Sequence, residues 1–134
     1  MKKGFNANIE KETLENTDFR RVLYTGKYSQ LVLMCLKPKE EIGMETHDTV
    51  DQFFRFEEGE GLVFIDNAKY EVKDGSAVIV PSGAKHNVVN TSAKKPLKLY
   101  TIYSPPEHID KTLRKTKQEA LDRPEEYDGK PTEK

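Results

Sequence analysis

Gly75-Ser-Ala-Val-Ile-Val-Pro81-Ser-Gly83-Ala-Lys-His86-Asn-Val-Val-Asn90 is the stretch that decides the fold. Gly75 follows Asp74 at a hairpin turn that needs positive φ. Ala77 to Val80 reads as a core strand. Pro81 ends that strand, because proline has no N–H to give to a ladder, and Gly83 lets the chain double back tightly. His86 then opens a strand on which His86, Val88 and Asn90 share one face, since side chains alternate along a strand. That face carries the imidazole inward.

The same grammar extends on both sides. Further strand candidates are Val22–Tyr24, Ser29–Leu36, Gly43–His47, Gln52–Glu57, Gly61–Ile65, Ala68–Val72, Asn87–Thr91 and Pro96–Tyr103. Turn residues separate them at Lys37-Pro38, Glu58-Gly59-Glu60-Gly61, Asp66-Asn67, Asp74-Gly75 and Ser92 to Pro96. Short, evenly spaced strands with no helical period between them predict an all-β sandwich or barrel. Residues 1–18 are polar and read as an N-terminal arm, either on the barrel edge or on a partner subunit. Residues 19–122 form the domain. Within it, Thr116-Lys-Gln-Glu119 is a capping-box pattern that predicts a short C-terminal helix over about 112–122. Residues 123–134, rich in charge and carrying Pro124, Gly129 and Pro131, read as a flexible tail.

The arrangement brings metal-binding side chains together. Glu45 and His47, at i and i+2, leave the same strand face. Gln52 begins the next strand after a polar turn, on the face of Phe54 and Phe56. His86 arrives from a distant strand. Two histidines and a carboxylate make the facial donor set of non-haem iron sites, and of some catalytic zinc sites. Gln52 is a neutral donor that either joins the ion or orients a water beside it. With no thiolate in the set, the expected cofactor is one divalent transition metal ion, Fe, Mn, Ni or Zn. His108, just past the last strand, is the candidate catalytic acid/base, though a histidine there ordinarily caps a surface loop. Among cations, Lys85 and Arg55 lie nearest by sequence, and alternation puts Arg55 on the face opposite Gln52. The Lys-rich stretch Lys111 to Lys117 reads as a solvated helix face.

The 75–90 stretch, written G-x5-P-x-G-x2-H-x3-N, resembles the second sequence motif of the cupin superfamily at every fixed position. The first motif of that family runs His-x-His, a carboxylate, then Gly. Glu45-x-His47, Gln52 and Gly59 keep its spacing, with Glu45 in place of the first His and Gln52 in place of the usual Glu. The resemblance covers about residues 20–106. It implies a double-stranded β-helix, or jelly-roll barrel, with the ion held by Glu45, His47, Gln52 and His86. Phe19-Arg-Arg-Val-Leu-Tyr-Thr-Gly, Gln30-Leu-Val-Leu-Met, Asp51-Gln52-Phe and the ending Leu97 to His108 resemble a group of small stand-alone cupins loosely labelled as related to mannose-6-phosphate isomerase. A further histidine commonly lies in that group where Arg114 stands here.

Composition bounds the partners. The 134 residues allow one domain, and 22 Lys+Arg against 23 Asp+Glu leave a net charge of −1. No basic excess exists to neutralise a phosphate backbone, so nucleic acid is not the expected partner. The N-terminus has no apolar signal region and no apolar run approaches ~20 residues, so neither export nor a membrane span is expected, and the setting read from the sequence is cytoplasmic. The one cysteine, Cys35, sits in an apolar run and reads as buried. The unprotected edges of a small barrel predict a homodimer. Two functions remain: a metal-dependent enzyme acting on a small molecule, by isomerase, epimerase or dioxygenase chemistry, and a non-catalytic small-molecule binding or sensing module.

Overall fold

A computed structural model describes residues 1–134. The chain runs α1 (Ile9–Glu15), β1 (Arg20–Thr25), β2 (Gln30–Leu36), β3 (Glu45–Thr46), β4 (Asp51–Glu58), β5 (Glu60–Ile65), β6 (Ala68–Lys73), β7 (Ala77–Val80), β8 (Lys85–Asn90), β9 (Leu97–Ser104), β10 (Leu113–Arg114) and α2 (Lys117–Asp122). The strands make two antiparallel sheets, in the orders β10-β1-β2-β9-β4-β7 and β3-β8-β5-β6. This is the jelly-roll barrel with a short C-terminal helix that the sequence predicts.

Alternation builds the core between the sheets. Gln52, Phe54 and Phe56 of β4 are buried while Phe53 and Arg55 are only half covered. Phe54, Phe56, Val32, Met34 and Leu99 of one sheet meet Val63, Val72 and Val88 of the other in one apolar cluster. Cys35 is buried in β2. The turn glycines behave as read, with φ of +92° at Gly75 and +87° at Gly83. Gly61 answers to a different constraint: a Cβ there would collide with the Val89 carbonyl on the paired strand, so no larger residue fits without a shift of backbone. No helix is long and apolar enough to cross a membrane.

The ends differ most from expectation. The arm contains a helix, α1, capped by Asn8, whose Oδ1 accepts from Lys11 N. Lys98 Nζ donates to the Leu14 carbonyl at 2.6 Å and so ties the helix to β9. Residues 111–116 do not form the start of a helix; Leu113 and Arg114 pair with β1 instead, Arg114 opposite Arg20 and Leu113 opposite Arg21. The helix begins only at Lys117, where Thr116 Oγ1 accepts from Glu119 N at 3.1 Å. The tail, expected to fray, returns across the barrel. Tyr127 N donates to Glu107 O, Thr132 N to Thr25 O, and Glu125 is buried beneath them. Three partners for one carboxylate (His108, Arg20 and Arg114) outweigh the polar composition that reads as disorder.

Candidate metal centre

The short strand β3 lies against the start of β8, with Glu45 directly opposite His86. His47 follows β3, and Gly83 N donates to its carbonyl at 2.8 Å, so the glycine of the 75–90 motif also holds a site residue in place. One donor atom each from Glu45, His47 and His86 lies within 4.8 Å of the others. That spacing is close enough for the three side chains to hold one metal ion.

The protonation pattern suits that use. His86 Nδ1 contacts the Ala84 carbonyl at 3.2 Å, which assigns the proton to Nδ1 and leaves the Nε2 lone pair free. Burial holds His86 below the usual imidazole range, so the ring is neutral. His47 Nε2 lies 3.0 Å from Glu45 Oε2. The contact is off the ring's N–H axis and leaves Nε2 without a hydrogen-bond partner. The close approach of Glu45, as a proton acceptor and as a charge, nevertheless raises His47 against the pull of burial, and the charge of Glu107 adds to it. Burial alone would raise Glu45, but the contact with His47 and the charges of His47, Arg20 and His86 outweigh it and hold the carboxyl low.

Gln52 sits on the inward face of β4, only 2 % exposed. Its Nε2 donates to Thr101 Oγ1 at 3.0 Å, which fixes the amide orientation and leaves Oε1 buried with no partner. A buried carbonyl without a donor costs about 1–3 kcal/mol. An ion, or a water beside one, relieves that cost, so the donor set fits a divalent metal.

A cleft of about 220 Å³ opens beside Glu45 and His47, lined by residues that also include Arg20, Glu107, His108 and Glu125. His108 is buried, not a surface cap, because Gln30 pins its loop. Gln30 Oε1 accepts from the Glu107 and His108 N–H groups, and Gln30 Nε2 donates to the His108 carbonyl. The ring packs edge-on to Tyr103, with centroids 5.0 Å apart. Its Nδ1 is 2.7 Å from Glu125 Oε1, while Nε2 is buried without a partner. Burial lowers His108 despite the opposing pull of Glu125. Burial would raise Glu125, yet the hydrogen bond and charge of His108, with Arg20 and Arg114, keep it low. The pair is therefore a neutral imidazole donating to a carboxylate.

Three residues escaped the sequence reading: Arg20, Glu107 and Glu125. The cations at the cleft are Arg20 and Lys117, not Lys85 or Arg55. Lys85 is exposed on β8, and Arg55 lies on the other face of β4 with Nε 3.1 Å from Glu57 Oε1. Lys117, read as part of a solvated face, also lines the cleft. A signal for Arg20 was present, since it is in phase with inward-facing Val22 two residues on. Glu107 had only its place beside His108, and Glu125 had none, because its partners are distant in sequence.

The family model described as Cupin domain matches residues 32–103. The Bacillus subtilis protein YrkC is 46% identical over 125 residues, a span of 89% of this chain and 67% of that protein. The Acanthamoeba polyphaga mimivirus protein L612 is 42% identical over 105 residues, covering 76% of this chain and 66% of that protein. The chain thus spans about two thirds of the length of these curated relatives. Among solved structures, BH2720 from Bacillus halodurans superposes with a TM-score of 0.88 at 44% identity, over 90% of this chain and 96% of that one.

Proposed function

The chain belongs to the cupin family, and from that premise we propose that it is a metal-dependent enzyme acting on a small molecule, with Glu45, His47 and His86 holding one divalent ion and His108 as the acid/base. The observation that carries the reading is the convergence of those three donors, two of which, Glu45 and His47, line a cleft. Such an ion, Fe, Mn, Ni or Zn, supplies Lewis-acid polarisation of a carbonyl or enediolate oxygen. Gln52 supports it as a further donor, its free carbonyl being otherwise a cost. His108 takes a proton at Nε2, while Glu125 holds the opposite nitrogen and stabilises the imidazolium that forms. This pairing favours proton-transfer chemistry of the isomerase or epimerase type over dioxygen chemistry.

The test follows solvent deuterium into candidate sugars and small acids by NMR. Exchange or isomerisation is expected that stops with chelator, returns with added ion, and falls about 100-fold or more in His108→Gln, as for loss of a general base. Saturable binding without turnover, indifferent to chelator, overturns the enzyme reading in favour of a binding or sensing module. Oxygen uptake in place of exchange moves the chemistry to the dioxygenase class.

A homodimer belongs to the same reading. β7 is an open edge of the larger sheet, and its Ile79 is 66% exposed. Light scattering is expected to give twice the chain mass, and the single-chain mass for Ile79→Lys. A single-chain mass for the wild type overturns the dimer.

A further inference from the structure

We infer that Arg20 is the anchor for a carboxylate group of the ligand, and that the cleft therefore takes a small carboxylic acid. The inference rests on the reading of this cleft as a small-molecule site. Arg20 opens β1 in phase with Val22, and that phase turns its side chain inward, where the residue is 8% exposed. An arginine that far from water is ordinarily saturated with acceptors. Here Nε has none. The closest ion-pair contact is Nη1 to Glu125 Oε1 at 3.8 Å, beyond hydrogen-bond distance.

Glu125 is already committed elsewhere. Its Oε1 takes His108 Nδ1 at 2.7 Å and its Oε2 faces Arg114 Nη2 at 3.4 Å. Arg114, paired opposite Arg20 across β1 and β10, also donates to the Arg123 and Leu113 carbonyls. The two arginines are thus unequal: Arg114 holds the tail, whereas Arg20, which lines the cleft, makes no side-chain hydrogen bond and has a buried Nε without an acceptor. The Phe19 ring lies 5.4 Å from its guanidinium carbon and supports the plane of the fork.

Shape and charge narrow the ligand. The cleft is below the ~300 Å³ at which pockets for drug-sized ligands begin. Glu45, Glu107 and Glu125 line it as well, and their charge disfavours a phosphate dianion more than a singly charged carboxylate. A planar guanidinium fork matches a carboxylate's two oxygens. Arg20, His108 and two of the metal donors, Glu45 and His47, line the same small space, so an acid held by Arg20 would lie beside the ion site and His108.

Isothermal titration with acetate, pyruvate, glycolate and lactate tests this, with glycerol, glucose, sulfate and inorganic phosphate as controls and metal content measured on each sample. At least one carboxylate is expected to bind saturably, and Arg20→Met to weaken it about 10- to 100-fold, as for a lost hydrogen bond to a charged group. Metal content should be unchanged in that variant. Should Arg20→Met fail to fold, two readouts remain: Arg20→Lys, expected to keep the charge but lose most of the affinity, and the wild-type Arg20 Nε–H resonance, expected to shift on carboxylate addition. Equal affinity in wild type and variants, an unmoved resonance, or preference for phosphate or neutral polyols overturns the proposal. Metal bound without carboxylate binding sinks this inference alone. Carboxylate binding that depends on Arg20 in a metal-free protein sinks the metal reading alone.

Discussion

Wild-type protein purified without chelator or added metal is expected to carry about one equivalent of a divalent transition metal per chain, and both His86→Ala and Glu45→Ala to lose it. Each variant removes one of three donors that converge from β3, its following residue and β8. Outer partners that only orient a ligand are worth 10- to 100-fold in affinity, so loss of a direct donor should exceed about 100-fold. Gln52→Ala separates the two roles open to that side chain. A 10- to 100-fold loss at unchanged stoichiometry marks an orienting role, and loss as complete as in Glu45→Ala marks a direct donor. The direction with pH follows from His47. Glu45 raises its affinity for a proton, so protons compete with the ion from a higher pH than for an ordinary imidazole. Metal affinity should therefore fall as pH is lowered through and below neutrality. Metal content by mass spectrometry decides the matter. Equal content in wild type and both variants, or none after reconstitution with Fe, Mn, Ni and Zn in turn, overturns the site.

The second large effect is structural. Asn90→Asp should lower stability by about 3–5 kcal/mol, the usual cost of a buried charge left without a partner. Asn90 is fully buried where β8 ends. Its Nδ2 donates to the Leu36, Lys37 and Lys95 carbonyls at 3.2, 3.0 and 2.9 Å, and its Oδ1 accepts from Ser92 N at 3.0 Å. Aspartate keeps the Ser92 bond but turns its second oxygen on three carbonyl oxygens. The expected fall in melting temperature is roughly 10–20 °C. The pH dependence has a definite sign. Burial raises the folded pKa of the new acid above its ordinary ~3.9, so the penalty is present at neutral pH and shrinks as pH falls toward 4. A melting temperature within about 3 °C of wild type at pH 7, or a penalty that grows on acidification, excludes this role for Asn90.

Asn90, with partners as remote as Leu36 and Lys37, is the exception in an otherwise readable 75–90 stretch. The other fixed positions answer a local demand of backbone or strand: positive φ at Gly75 and Gly83, the end of β7 at Pro81, an inward phase for His86. Local demands leave local spellings. The strand train from Arg20 to Ser104 was legible for the same reason, because alternation with one buried face is written residue by residue. The misreadings fall where partners are remote. Leu113 and Arg114 became a strand because β1 offered an open edge, which outweighs helix propensity over so short a segment. The tail composition reads as loose, yet Glu125 is drawn in by three partners that precede it in sequence, Arg114, His108 and the distant Arg20.

The site divides along the same line. Glu45, His47, Gln52 and His86 could be named as candidate donors because inwardness follows from strand phase, and phase is a property of the sequence. The sequence by itself therefore determined the barrel and its inward faces, and with them a candidate donor set of which Glu45, His47 and His86 come together in the fold. Only the tertiary structure decided that Gln30 buries His108 rather than leaving it on a surface loop, and that Glu125 engages His108 and Arg114 while Arg20, lining the cleft, keeps a buried Nε without an acceptor. Those outcomes depend on which polar groups saturate one another in three dimensions, and hydrogen-bond saturation is a property of the assembled fold with no period along the chain.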